Sequence, residues 1–418
     1  MQIYLVGGAV RDTLLGLPVK DRDWVVVGAT PQQLVDQGFV PVGKDFPVFL
    51  HPRSKEQYAL ARTERKTAPG YRGFAVHAAP DVTLEQDLAR RDLTINAIAV
   101  DARRLQNDGN FNPAQVALTD PHQGRRDLQD KLLRHVGAAF REDPVRILRV
   151  ARFGARFGDF DVAPETMNLM RAMVGDGEVA ALVAERVWQE LARGLMEARP
   201  SRMFELLREC GALATLLPEL DGVWPGRVGA TASGSDSGCA GAQAMQALDL
   251  AAALQVSLPV RFACLCLHLA PCGAARGPDD PIRRLCQRLR VPTECRELAE
   301  VAGHEWPHIH HCMALDASAL VLLLERCDAF RKPARFGELL LACECDARAQ
   351  AGARDAAYPQ RQHMVCVLAT ARTVATEAVA TRAQASGVGG RQVGDMIHAA
   401  RVQAVAAMLA AQGKPPSP

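Results

Sequence analysis

The hydrophobic periodicity of this chain changes once, near Glu142, and that change dictates a two-part fold. Before it, short apolar runs (IYLVG from Ile3, DWVVVGA from Asp23, QYALA from Gln57, TINAIAV from Thr94) alternate with turns and brief helical signals. This is the pattern of a small sheet accompanied by helices. After it, apolar residues recur at three- and four-residue spacing, as in RILRVARFGARF from Arg146 and RMFELLRECGAL from Arg202. That is the period of amphipathic helices. The expected class is α+β, a head with a small mixed sheet followed by an all-α region. Two glycine-rich breaks, Trp224–Gly241 and Pro271–Pro281, read as loops, with helix resuming at Ala242. The expected divisions are 1–140 (head), 141–222 (helical neck), 223–345 (second helical domain) and 346–418 (helical tail).

Bulk properties exclude more than they select. A length of 418 residues suggests two to four domains. The net charge of +2 does not announce a nucleic-acid binder. Arginine pairs at Arg90–Arg91, Arg103–Arg104 and Arg125–Arg126 are local enough to form a phosphate-facing patch or simply a solvated face. No apolar run approaches the ~20 residues of a membrane span, so a cytoplasmic protein with no membrane partner is expected. All 12 cysteines lie at or after Cys210, without a CxxC pair. They read as small buried thiols rather than zinc ligands.

The chemistry concentrates at the N-terminus. Gly7–Gly8 follow a strand and enter a helix, where exposed N–H groups and the helix's positive end can meet an anion. Arg11, one turn on, can grip phosphate oxygens by two hydrogen bonds. The spacing fits neither a dinucleotide fingerprint nor a P-loop. Asp21 and Asp23 then sit two apart at the start of a strand, so both carboxylates would share a face. Like charges this close call for a cation, and Mg²⁺ bound jointly with substrate phosphates is the economical one. The alternative is surface aspartates paired with Lys20 and Arg22.

GGAVRDTLLG followed by DRD resembles the nucleotidyltransferase superfamily that includes DNA polymerase β, in the form carried by class II tRNA nucleotidyltransferases and bacterial poly(A) polymerases. Two further stretches carry the likeness. Asp87–Ala97 (DLARRDLTINA) resembles the RRDxTxNA motif, and Thr83 with Gln86 has the spacing of a capping box that would start a helix bearing it. Glu142–Arg146 (EDPVR) resembles the EDxxR motif. The resemblance implies that Arg91 contacts the nucleotide, that Asp92 lies near its ribose, and that Arg149 and Arg152 also contact it. Cytosine and adenine each present an amine donor beside a ring-nitrogen acceptor. Asp143 and Arg146, three apart on one helix face, would complement that pattern and reject uracil and guanine without a template. Arg156 continues the stripe and is read as a solvated arginine.

KDRDWVVVG, GKDFPVFLHP, ERVWQEL and LCQRLRVP look specifically like proteobacterial CCA-adding enzymes. The resemblance thus implies addition of C, C and A to the tRNA 3′ end from CTP and ATP. Asp21 and Asp23 would be catalytic and hold Mg²⁺, and Gly8, Arg11, Arg91, Asp92, Asp143, Arg146, Arg149 and Arg152 would bind the nucleotide. No DNA partner is expected. Poly(A) polymerases and CC-adding enzymes share the core motifs and remain alternatives, with an HD phosphohydrolase bearing a vestigial head more distant. Relatives of this type carry an HD metal site behind the head. Here the corresponding doublet is His268-Leu269, and leucine cannot ligate a metal, so phosphohydrolase activity is expected to be lacking. The group His304, His308, His310 and His311 has no zinc spacing. The segment 102–120 is longer than the family's usual connection and is read as an RNA contact or plain surface.

Overall fold

A computed structural model of the chain describes residues 1–42, 48–66, 74–106, 109–224, 239–269, 277, 279–349, 355–385 and 389–412. They form two compact units, one of residues 1–194 and 202–216, the other of 195–201 and 217–418. The expected head and most of the expected neck therefore pack as one unit.

The first unit opens with β1 (Gln2–Val6), α1 (Gly8–Leu14), β2 (Asp23–Val27), α2 (Pro31–Asp36), β3 (Val40–Val42), β4 (Val48–Leu50) and β5 (Gln57–Leu60). A hairpin of β6 (Thr63–Lys66) and β7 (Phe74–His77), helix α3 (Leu84–Ala89) and β8 (Ala99–Asp101) follow. Six strands make one mixed sheet in the order β3-β4-β5-β2-β1-β8. Its register does the positioning, because Val6 at the end of β1 opposes both Asp23 at the start of β2 and Ala99 at the start of β8. The glycine turn, the first strand aspartate and the end of the RRDLTINA segment thus meet at one end of the sheet. Beneath them Val6, Val25, Leu84, Leu88, Ala97 and Ala99 share a buried cluster. Burying aliphatic side chains of Val or Leu size is worth about 1.5–3 kcal/mol each, enough to hold a charged edge in register.

The capping box forms as read: Thr83 Oγ1 accepts from Gln86 N at 3.3 Å, and Gln86 Oε1 accepts from Thr83 N at 2.9 Å. Two expectations are corrected. Helix α3 ends at Ala89, so Arg91–Asn96 lie beyond it rather than on it. TINAIAV is not one strand, since Thr94–Asn96 form a single 3-10 turn and pairing begins only at Ala99. The cause is side-chain hydrogen bonding, near and far in sequence, that competes with the ladder. Asp92 accepts from Leu93 N at 2.8 Å and from Asn96 Nδ2 at 3.0 Å, while Thr94 Oγ1 donates to Asp127 at 2.6 Å. The 102–120 segment is tied to the sheet: Thr119 bridges Ala99, and Asn110 accepts from Arg22 at 3.0 Å.

Helices α4 (Gly124–Gln129), α5 (Val145–Arg156), α6 (Pro164–Gly175), α7 (Ala184–Leu195) and α8 (Ser201–Glu209) follow. Helix α5 buries Ile147, Leu148, Val150 and Ala151 completely, leaving its arginines on another face.

The second unit is helical throughout its described residues, with long helices Ala240–Ala253, Leu258–Cys266, Thr293–His310, Pro333–Ala349, Pro359–Arg372 and Arg391–Gln412. The glycine-rich stretches 225–238 and 270–276 fall outside the described residues. Helix resumes at Ala240, two residues before the expected start. Leu298, Leu320, Phe336 and Leu340 share a core with Cys264, Cys343 and Cys345. The described cysteines are free thiols, and burial pushes those of Cys266 and Cys343 well up. His268 and His310 both bind the buried carboxylate of Asp346, at 2.7 and 3.2 Å, and His304 binds Asp280 at 2.7 Å. Burial opposes the Asp346 charge, yet the two histidines hold the carboxyl down at about 2. Among the described residues no single helix is long and apolar enough to cross a membrane.

Candidate active site

At the polar end of the sheet the first unit opens a cleft of about 900 Å³. Gly8, Arg11, Asp21, Asp23, Arg91, Asp92, Asp143, Arg146, Arg149 and Arg152 all line it. Every candidate catalytic and nucleotide-binding residue named from the sequence therefore lines one cavity. Their roles within it differ.

The acidic pair sits at the mouth of β2. Asp23 is the first residue of the strand and Asp21 lies just outside it. Burial raises the Asp23 carboxyl, the Arg91 guanidinium lowers it and the Asp21 charge raises it again, for a net upward shift. A carboxylate held in that state gains from a cation. Among the described residues no three His, Cys, Asp or Glu side chains converge to hold a metal. The chain thus offers two hard oxygen donors and leaves the remaining positions to substrate. This donor set fits a divalent ion shared with phosphates.

Gly7 begins the turn with φ +69°, and a Cβ there would stand 3.0 Å from Arg91 Nη1. The positive φ is what favours glycine here, since the Arg91 tip is the end of a flexible side chain that can give way. Asp87, fully buried, orients the next two arginines: Arg90 donates to Oδ1 at 2.7 Å and Arg91 to Oδ2 at 3.2 Å. Burial alone would raise the Asp87 carboxyl, but Arg90 and then Arg91 outweigh it and the net shift is down.

Arg11 is only 4% exposed, packed 5.1 Å from the Phe153 ring centroid. Its donors go to Asp12 at 2.9 Å and Asn96 Oδ1 at 2.6 Å. Asn96 in turn donates to Asp92, whose other oxygen accepts from Arg149 at 2.7 Å. Burial pushes the Asp92 carboxyl up, yet Arg149, Asn96 and the Leu93 N–H hold it well below the carboxylate range. Asp92 is thereby a fixed anion orienting Arg149. Arg152 is oriented in the same manner by Glu190, at 2.7 Å.

The reading of Asp143 and Arg146 as neighbours on one helix face is corrected. Asp143 precedes α5, in an extended conformation enforced by Pro144. Its carboxylate accepts two bonds from Arg186, at 3.1 and 2.7 Å. Arg146 is on the helix and donates to the carbonyls of Ala139 and Arg90, at 2.9 and 2.6 Å. Arg156 is also more than a solvated arginine, for it lines the cleft and binds Asp12 at 2.8 Å.

Asp12, Asp87, Asn96, Arg186 and Glu190 were missed by the sequence reading. Asn96 lies inside the RRDxTxNA motif and Asp87 three residues before it, in the quoted DLARRDLTINA. Arg186 and Glu190, four apart in ERVWQEL, carried an i, i+4 signal pointing to one helix face.

Comparison with known proteins follows the same outline. The Poly A polymerase head domain matches residues 3–134, and the probable RNA and SrmB-binding site of polymerase A matches 159–223. The Multifunctional CCA protein of Variovorax paradoxus (strain S110) is 61% identical, covering 98% of this chain and 100% of its own. That of Polaromonas naphthalenivorans (strain CJ2) is 58% identical, with 99% and 100% covered. A solved CCA-adding enzyme in an apo form has the same fold, with a TM-score of 0.65 at 19% identity over 98% of this chain and 92% of its own. Taken with the cleft, these likenesses make the chain a member of the bacterial CCA-adding nucleotidyltransferase family.

Proposed function

We infer that this chain adds cytidine, cytidine and adenosine in turn to the 3′ end of tRNA, from CTP and ATP and without a template, releasing pyrophosphate. The observation that carries the reading is the single cleft joining a carboxylate pair, an arginine wall and the Asp143/Arg146 pair. Identity of 61% over 98% of the chain to a Multifunctional CCA protein favours CCA addition over the poly(A) and CC-only alternatives. In this reading residues 1–140 form the catalytic head, 141–222 the neck, 223–345 a second helical domain and 346–418 the tail.

Enzymes of this family use a divalent metal, and we take it to be Mg²⁺ held by Asp21 and Asp23. When bound it supplies activation of the primer 3′-hydroxyl and charge neutralisation on the departing pyrophosphate. Little covalent chemistry falls to the protein in phosphoryl transfer, so its side chains position. The Gly7–Gly8 turn gives backbone room for the phosphates, and Arg91, Arg149 and Arg152 contact the nucleotide. Asp143 accepts the exocyclic amine of cytosine or adenine while Arg146 donates to the ring nitrogen. Uracil and guanine present a carbonyl to Asp143, where two acceptors repel. The acceptor stem is read by shape and phosphates, because A-form RNA hides its base edges in a deep groove.

A tRNA transcript lacking its last three nucleotides tests the reading directly. With Mg²⁺ it should grow by two with CTP and by three with CTP and ATP together. A long ladder with ATP alone would make the chain a poly(A) polymerase instead.

A further inference from the structure

Helix α7 turns a stripe toward the cleft. Arg186, Gln189, Glu190 and Arg193 line it at i, i+3, i+4 and i+7, one face of the helix. Glu190 holds Arg152, and Arg186 holds Asp143. The second contact bears on base choice.

A carboxylate has about four acceptor positions, two on each oxygen. On Asp143, Oδ1 accepts from Arg186 Nη1 at 3.1 Å and from the Val145 N–H at 3.2 Å. Oδ2 accepts from Arg186 Nη2 at 2.7 Å. The fork therefore fixes the carboxylate plane, and among the described residues it leaves one acceptor position, on Oδ2. The reading head is thus a held acceptor with one open position, able to take one amine hydrogen.

We propose that Arg186 is a specificity-determining positioning residue, whose two-pronged grip on Asp143 makes the cleft reject uracil. The proposal rests on the assignment of Asp143 as the base reader. With the grip in place, the O4 carbonyl of UTP meets an acceptor that cannot turn away. Without it, Asp143 swings aside, the repulsion disappears, and Arg146 can donate to cytosine N3 or to uracil O4. CTP loses a partner while UTP loses an obstacle, so the ratio between them moves, not only the rate. Lysine at this position keeps the charge but not the fork.

The test is kcat/KM for CTP and for UTP on tRNA lacking its last three nucleotides, in the wild type, Arg186→Gln, Arg186→Lys and Asp143→Asn, with melting temperatures alongside. Arg186→Gln should lower the C-over-U ratio by about tenfold or more, as expected for a charge-assisted bidentate contact. Arg186→Lys should fall between it and the wild type. Arg186 is on a cleft-facing helix surface with a side chain 25% exposed, so a folded variant is expected. Should Arg186→Gln fail to fold, the Arg186→Lys ratio decides alone. If CTP activity drops while the ratio holds, and Asp143→Asn does shift the ratio, the grip has no part in selection and the proposal falls. If Asp143→Asn also leaves the ratio unmoved, the base-reading assignment itself is wrong.

Discussion

Alanine in place of Asp23 should lower nucleotide incorporation by about 1000-fold, and Asp21→Ala should do comparable damage. Charge stabilisation by a bound divalent ion is worth several kcal/mol, and each ~1.4 kcal/mol is a factor of ten. The fold should not be the casualty. The Asp23 carboxyl is pushed up by burial and by Asp21, so its charge is unfavourable in the folded protein without a cation. Removing it should leave the metal-free protein melting at or above the wild-type temperature. Steady-state incorporation and thermal melting in EDTA measure the two effects separately. Activity within tenfold of wild type in either variant would refute the metal-holding role.

The second large effect comes from a residue with no functional group. A Cβ on Gly124 would meet the Thr94 carbonyl oxygen at 2.1 Å, its carbon at 2.7 Å and Ile98 Cγ1 at 3.0 Å. Two of those atoms are backbone, so no side chain can swing away. Thr94 opens the turn that presents Asn96, and Asn96 ties Arg11 to Asp92 and hence to Arg149. Gly124→Ala should therefore cost about 3 kcal/mol or more, at the upper end of overpacking penalties. Catalysis should fall as well, because misplacing a positioning group by about 1 Å costs on the order of a hundredfold. Chemical denaturation and kcat/KM for CTP check both. A variant as stable and as active as the wild type would show that α4 does not buttress the site.

What the sequence revealed follows from which interactions are local. The change of period near Glu142, the Thr83/Gln86 capping box and the strand carrying Asp23 depend on neighbours in the chain, and each was legible. The boundaries of TINAIAV were not, because Thr94 bonds Asp127, a partner 33 residues away. Asp143 and Arg146 fitted one helical face on paper, but proline at 144 fixes the helix start after the aspartate. Site membership was legible through motifs, whereas the partners of the site residues were not. Nothing in the spacing of Arg186 and Asp143, 43 residues apart, says that one grips the other. Arg156 illustrates the same limit, since its acceptor is Asp12, 144 residues earlier.

In the proposed function one cleft accepts both C and A and chooses by protein side chains. Competition binding tests it most directly: the protein is saturated with labelled CTP in the presence of Mg²⁺, ATP is titrated in, and bound CTP is counted per chain. Mutually exclusive binding, with one nucleotide per chain throughout and ATP displacing CTP completely, is the predicted result. Simultaneous retention of CTP and ATP on one chain would contradict it, and would require a second nucleotide site elsewhere.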